Sequence, residues 1–313
     1  MKISIVVPCF NEDKVIKELI ERLKETLTIC LDIKLITKYE IIFIDDGSSD
    51  NTLLLLRSFS RDDERIKVVS FSRNFGQQIA ITAGIDAADG DAMVIMDADL
   101  QDPPELIPEM IKEWNKGYKI IHMKRKQRIG ESGLKKFTAK IFYRLLNKLT
   151  TVEIPLDSGD FKLLDKEIIL YLRKLTEHFR FMRGLEVLAG FSQLTLEYDR
   201  PARFAGKPKY SFLKSFKLAV DGITSFSSKP LKMVTVLGII GIISSFILMA
   251  YAMMSKIMLP NRILPGWTSL LIVVVFFSSI QLFSLGLIGE YIGRIYEEVK
   301  GRPLYVIKDK INL

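Results

Sequence analysis

The chain has 313 residues, 48% of them hydrophobic and 26% charged, enough for about two domains and too long for a small disulfide-stapled scaffold. Forty-five Lys and Arg against 37 Asp and Glu leave a net charge of +8, a surplus suited to an anionic partner such as phosphate, nucleic acid or an acidic membrane surface. Only Cys9 and Cys30 are present, so no disulfide framework or zinc-ligand spacing can be assembled, which fits a reducing cytosol.

The amino terminus, MKISIVVP, runs directly into polar sequence without the apolar length and cleavage site of a secretory signal, so residues 1 to about 230 are expected on the cytoplasmic side. Over the first 125 residues, short β-branched runs alternate with longer amphipathic ones, the pattern of repeated βα units in a mostly parallel, Rossmann-like α/β sheet. ISIVV, YEIIFI, IKVVSF, AMVIM and KIIHM read as five strands. Val15, Ile16, Leu19, Ile20, Leu23 and Leu27 recur at spacings of three and four and predict a helix with one apolar stripe. Pro103 and Pro104 predict the opening of another helix, Glu105 to Trp114.

Further along, the composition changes. Met233 to Ser255 is 23 residues without a charge, and Ile263 to Gly289 is 27 more, each long enough for the roughly 20 residues that cross a bilayer core. Two transmembrane helices are expected, the alternative being a pair of buried core helices. Lysines and arginines crowd both outer flanks, whereas the loop between the spans carries only Lys256 and Arg262, so both ends are placed in the cytoplasm. Phe212, Phe216, Val220, Ile223 and Phe226 alternate with lysines in a pattern suited to a helix in the membrane interface, or to a solvated linker helix. The expected organisation is a catalytic domain over 1–210, an interfacial region over 211–230, two spans with a short external loop over 231–290, and a cytoplasmic tail over 291–313.

In doubly wound sheets ligands collect beyond the carboxyl ends of the strands. Here those ends are polar: Pro8-Cys9-Phe10-Asn11-Glu12, then Asp45-Asp46-Gly47-Ser48, then Ser72-Arg73-Asn74-Phe75-Gly76-Gln77-Gln78, then Asp97-Ala98-Asp99-Leu100-Gln101-Asp102. Asp45-Asp46-Gly47-Ser48 alone is equally a turn. Asp97 and Asp99 are two apart at a strand end and share one side, an all-oxygen set that with Gln101 suits Mg²⁺ or Mn²⁺, or else they cap the helix that follows. Asp157-Ser158-Gly159-Asp160-Phe161 reads by itself as a turn, and His122 and His178 as structural.

Together VVPCFNE, FIDDGSSD, SRNFGQQIAITAG, MDADLQDPPELIP, SGDFKLLDK and the tail LGLIGEYIGRIYEEVKGRPLY resemble the inverting family 2 glycosyltransferases of GT-A fold. The match is closest to membrane-anchored polyprenyl-phosphate enzymes, the bactoprenol glucosyltransferases of the GtrB type, related to dolichyl-phosphate mannose synthases. Cys9-Phe10 departs from relatives that carry a Tyr before the Asn-Glu pair.

This resemblance implies that Pro8, Phe10, Glu12, Asp45 and Asp46 line a nucleoside pocket, that Asp97, Asp99 and Gln101 hold Mg²⁺ or Mn²⁺ and the donor diphosphate, and that Arg125 and Lys135 face that diphosphate. It places Asp160 beside the acceptor, as the residue that orients attack or takes a proton, and Arg200, Arg203, Lys207 and Lys209 come just before the interfacial region, where a lipid phosphate must be met. The implied reaction moves a sugar, glucose from UDP-glucose, to undecaprenyl phosphate at the cytoplasmic face of the plasma membrane. The implied partners are the nucleotide-sugar donor, the polyprenyl-phosphate lipid and the membrane, not a nucleic acid, with a homo-oligomer through the membrane and tail region as a further expectation. Other donors, GDP-mannose, UDP-GlcNAc or a UDP-aminoarabinose derivative, fit the same motifs. A processive polysaccharide synthase would need more spans and a QxxRW-type motif, and a non-catalytic scaffold would be expected to lose the metal-site acids.

The charge asymmetry generates a topology prediction. A cysteine introduced at Asn261 is expected to react with an impermeant thiol reagent applied outside intact cells, and one introduced at Lys310 to stay unlabelled. The opposite pattern would overturn the cytoplasmic placement of both ends.

Overall fold

In the computed structural model, residues 1–126, 158–178, 180, 182–199, 229–258 and 266–313 are described. All five apolar runs are strands: β1 (Lys2–Cys9), β2 (Lys38–Asp45), β3 (Ile66–Phe71), β4 (Ala92–Ile95) and β5 (Ile120–Arg125). Because β1, β2 and β4 lie inside the sheet with helices packed over them, their sequences are near-continuous apolar runs rather than alternating ones.

The connections are helices α1 (Ile16–Asp32), α2 (Thr52–Asp62), α3 (Gln77–Ala87) and α4 (Ile107–Asn115). α1 buries Ile16, Leu19, Ile20, Leu23 and Leu27, the predicted stripe. The helix expected from Glu105 starts later. Pro104–Leu106 form a single 3₁₀ turn, and the α-helix begins at Ile107.

Three strands escaped the sequence reading. β6 (Ser158–Asp165), β7 (Gln193–Tyr198) and β8 (Ile307–Ile311) complete the order β7-β5-β6-β4-β1-β2-β3-β8. β6 runs antiparallel between β4 and β5, and β8 antiparallel along β3, while the remaining pairs are parallel. The segment read as a turn at Gly159-Asp160 is therefore the beginning of a central strand. Local turn propensity loses there to ladder hydrogen bonds on both sides, which only the tertiary fold supplies. Helices α5 (Lys166–Lys174) and α6 (Met182–Leu188) follow β6, and the Asp165 side chain caps α5 by accepting from the backbone N–H of Glu167 at 2.9 Å.

A separate unit holds two long helices, α7 (Lys229–Met258) and α8 (Trp267–Val299), of 30 and 33 residues. Among the described residues one stretch, Val273–Val299, is long and apolar enough to cross a membrane, and a shorter apolar stretch, Leu231–Ile247, lies in α7. α8 continues past residue 290, and within the tail Ile307–Ile311 joins the sheet. The expected interfacial helix and external loop fall outside the described residues.

At the amino ends of the strands, Glu40 is 2% exposed and gathers Ser4 Oγ at 2.6 Å, the Asp89 backbone N–H at 2.9 Å, Lys2 Nζ at 2.7 Å and Lys67 Nζ at 2.9 Å. Burial alone would raise its carboxyl, but the hydrogen bonds from Lys2, Ser4, the Asp89 backbone and Lys67 hold it down to about 2. An unfolded glutamate titrates near about 4.3, so the network stabilises the fold above that pH, and its contribution is lost as pH falls through the window between the two values. Glu40→Gln is expected to lower the thermal midpoint at pH 7 by about 5 °C and to flatten the acid limb of the stability curve. Melting curves between pH 7 and 2 check this, and an acid limb identical to the parent's would contradict it.

Candidate active site

The carboxyl ends of β1 and β2 are clasped together. Asn11, at φ 55°, donates its backbone N–H to Ser48 Oγ at 3.0 Å, and its side-chain oxygen accepts from the Ser49 N–H at 2.8 Å. The Glu12 N–H donates to Thr52 Oγ1 at 2.8 Å. Pro8 pairs with Ile44 inside the ladder, so Pro8, Phe10 and Glu12 all lie on this rim beside β2. Gly47 sits at φ +69°, and a Cβ there would lie 2.5 Å from the Arg73 carbonyl carbon, so only glycine lets the turns after β2 and β3 touch.

Asp45 and Asp46 are both buried. Asp45 accepts from Ser70 Oγ at 2.8 Å and from the Ser48 N–H at 3.1 Å. Asp46 accepts the N–H groups of Phe75 at 2.7 Å and Gly76 at 2.9 Å, together with the Asn74 side chain at 2.9 Å. Burial lifts its carboxyl above the usual range, although the Phe75 and Gly76 N–H groups pull it back. Its carboxylate therefore fixes the 74–76 loop at this rim.

The second cluster depends on β6. Antiparallel pairing sets Ile95 against Lys162, so Asp97, two residues after Ile95, and Asp160, two residues before Lys162, come to the same end of the sheet. Gln77 Nε2, at the start of α3, donates to Asp97 Oδ1 at 2.7 Å and lies 3.5 Å from Asp160 Oδ2, and Gln78 Nε2 approaches Asp160 Oδ2 at 3.4 Å. Leu100 at φ 58° turns the chain so that the Gln101 N–H donates to Asp99 Oδ1 at 3.1 Å. Gln101 thus meets Asp99 through its backbone. Asp102, fully buried, accepts from Tyr198 Oη at 2.7 Å, donated from the end of β7, and lies 4.0 Å from Arg125 Nη2. Arg125 passes over Gly159, where an added Cβ would meet Nη2 at 3.3 Å.

Burial and the neighbouring Asp102, Asp160 and Asp99 carboxylates push the Asp97 carboxyl well above its ordinary range, against the pull of Arg125. Burial also raises Asp102, opposed by Tyr198 and Arg125. Such a concentration of negative charge invites a cation. Its donor atoms are hard oxygens, which fits Mg²⁺ or Mn²⁺. Among the described residues no three His, Cys, Asp or Glu side chains close into a cage by themselves, so an ion here would complete its shell from ligand oxygens and water.

The sequence profile of glycosyl transferase family 2 matches residues 4–172, which span β1 to α5 and carry both clusters. The chain belongs to that family. It is 48% identical over 305 residues to the uncharacterized glycosyltransferase YkcC of Bacillus subtilis (strain 168), covering 97% of this chain and 93% of that one. It is 39% identical over 308 residues to the SfII prophage-derived bactoprenol glucosyl transferase of Shigella flexneri, covering 98% of both. Among solved structures, a glucosyl-3-phosphoglycerate synthase from Mycobacterium tuberculosis superposes with a TM-score of 0.45 at 18% identity, covering 71% of this chain and 76% of that one.

Of the site residues expected in this glycosyltransferase, Pro8, Phe10, Glu12, Asp45, Asp46, Asp97, Asp99, Gln101, Arg125 and Asp160 all sit at the carboxyl ends of the parallel strands. Lys135, Arg200, Arg203, Lys207 and Lys209 lie outside the described residues. Sequence reasoning missed Gln77, Gln78, Asp102 and Tyr198 as parts of the site. The glutamines were visible in the motif SRNFGQQ, whereas nothing in QLTLEY marks Tyr198. His122 is buried beside Gln193 Oε1 at 3.1 Å, consistent with its structural reading.

Behind Asp160, Lys162 and Glu186 form an ion pair, 2.7 Å apart and both 0% exposed, that bolts β6 to α6. Removing one partner of such a pair strands a charge in the interior. Lys162→Met is expected to cost about 3–5 kcal/mol of stability, whereas Lys162→Met with Glu186→Leu should recover most of it. Denaturant melts of the three proteins measure this, and a double variant no better than the single one would reject the pairing as the cause.

Proposed function

We propose that this enzyme transfers a sugar, glucose from UDP-glucose, to undecaprenyl or another polyprenyl phosphate at the cytoplasmic face of the membrane, with inversion at the anomeric carbon. The observation that carries the reading is the convergence of Asp97, Asp99 and Asp160 in one crevice beside Arg125, with the buried pair Asp45 and Asp46 on the adjoining rim. Further support comes from the bactoprenol glucosyl transferase names of full-length relatives and from an apolar stretch long enough to span a bilayer.

In this reading Asp45, with Pro8, Phe10 and Glu12, receives the nucleoside, while Asp46 keeps the wall in place. Asp97 and Asp99, with Gln101, hold Mg²⁺ or Mn²⁺, which when bound neutralises charge on the departing diphosphate. Arg125 adds a fixed positive charge on the same side, set by Tyr198 and Asp102, with Lys135 as a second cation. Asp160, positioned by Gln77 and Gln78, orients the acceptor phosphate or takes its residual proton. An alkyl phosphate is already largely dianionic near neutral pH, so a strong base is not required. Arg200, Arg203, Lys207 and Lys209 meet the lipid phosphate.

The test is a donor screen with purified full-length enzyme and undecaprenyl phosphate, comparing UDP-glucose, GDP-mannose, UDP-GlcNAc and a UDP-aminoarabinose derivative. UDP-glucose is expected to give the product. Turnover with another donor alone would reassign the sugar, and no product from any donor would reject the reaction. In the active pairing, excess EDTA should abolish turnover, and Asp99→Asn and Asp160→Asn should each lower kcat by at least about a hundredfold. Full turnover in EDTA would remove the metal from the reading.

A further inference from the structure

The tail motif GRPLY has no part in the chemistry above, yet the structure gives it a definite position. Residues 300–306 lead from α8 to β8, which lies antiparallel along β3 in the pairing Val68 to Ile311 through Phe71 to Ile307. The two ends of this added strand do different things. At its far end, Asn312 Nδ2 donates to the carbonyls of Ser60 at 2.6 Å and Ile66 at 2.9 Å, and Asp309 pairs with Arg57 at 2.6 Å. At its near end, the Ser72 N–H donates to the Val306 carbonyl at 3.0 Å, and the Tyr305 ring stacks on Phe71 with centroids 5.0 Å apart and planes 23° apart. Phe71 in turn meets Phe75 edge to face at 5.6 Å, and Tyr305 Oη donates to Asp86 Oδ2 on α3 at 2.9 Å.

Phe75 is the residue whose backbone N–H grips Asp46, and Ser70, on the strand that β8 covers, holds Asp45. We infer that Tyr305 is a positioning residue for the nucleotide site: by stacking on Phe71 it fixes Phe75 and the 74–76 loop, so that the donor pocket is completed by the segment that follows the last long helix. This rests on the donor pocket proposed above. Tyr305 touches no substrate in this arrangement. Its effect passes through Phe71 and Phe75 to the backbone donors that set Asp46.

The experiment uses full-length protein in detergent and compares Tyr305→Ala, Tyr305→Phe and Asn312→Ala. Asn312→Ala loosens the same strand at the end remote from the loop, and Tyr305→Phe keeps the stacked ring. The first readout needs no nucleotide. Amide exchange of the peptide covering Phe75 and Gly76 is expected to quicken about tenfold in Tyr305→Ala and to stay parental in the other two. The second is the UDP dissociation constant, expected to weaken about tenfold in Tyr305→Ala alone while the KM for undecaprenyl phosphate is unchanged. Should the alanine variant not purify, Tyr305→Leu, which keeps apolar area without the stack, gives the same readouts. Unchanged exchange at 75–76 in Tyr305→Ala, or equal loosening in Asn312→Ala, would overturn the inference. Exchange as expected in a protein whose parent binds no UDP would leave Tyr305 as the support of the loop and count against the donor reading instead.

Discussion

Four carboxylates, Asp97, Asp99, Asp102 and Asp160, are gathered at one end of the sheet, three of them buried, and the repulsion between them is the constraint around which the site is built. Desolvation and like charge both oppose ionisation there, so every neighbouring polar group is committed to offsetting them. Asp102 is met by Tyr198 and Arg125. Asp97 accepts from the Gln77 amide and is drawn on by Arg125, and the Gln78 amide approaches Asp160. An amide can hold a carboxylate in place but cannot cancel its charge, so a cation entering the crevice would relieve the repulsion. In the reaction proposed above, such a cation would lie between these acids and the negative diphosphate of the donor.

Placement of these acids depends on the antiparallel strand β6. A wholly parallel sheet would deliver side chains to this end only from strands that finish there. β6 begins there instead, between β4 and β5, and so brings Asp160 from a distant part of the chain against Asp97. The Lys162–Glu186 pair then locks the strand to α6, whose first backbone N–H, at Met182, donates to Gln78 Oε1 at 3.3 Å. The far end of the sheet has the opposite electrostatic design. Glu40 is also buried, but two lysines and two other hydrogen-bonding groups from β1, β3 and the turn before β4 surround it, so it stabilises the fold rather than waiting for a ligand.

Sequence patterning alone carried the five apolar strands, the α1 stripe, the polar strand ends and the change of composition before two long helices, because each is a local property. A β-branched run buried on both faces needs no distant information to be recognised, nor does a stretch of 23 uncharged residues. The family resemblance added expected roles for the strand-end acids and for Asp160. Gly159-Asp160 nevertheless looks like a turn in isolation, and IKDKI carries too little apolar alternation to announce β8, whereas QLTLEY alternates polar and apolar residues and is a strand signal missed in the sequence reading.

What only the tertiary structure decided is which of these pieces meet. Strand register put Asp160 beside Asp97, the arrival of β7 put Tyr198 on Asp102, and the return of the tail put Tyr305 on Phe71. Each contact joins residues far apart in the chain, and its partner is chosen by which edge or gap in the sheet remains to be filled, which no local pattern encodes. The sequence by itself determined the chemistry on offer, oxygen ligands and cations at strand ends and an apolar carboxy-terminal region. The fold determined its convergence, because burial and hydrogen bonding are satisfied only when β6 and β8 take their places.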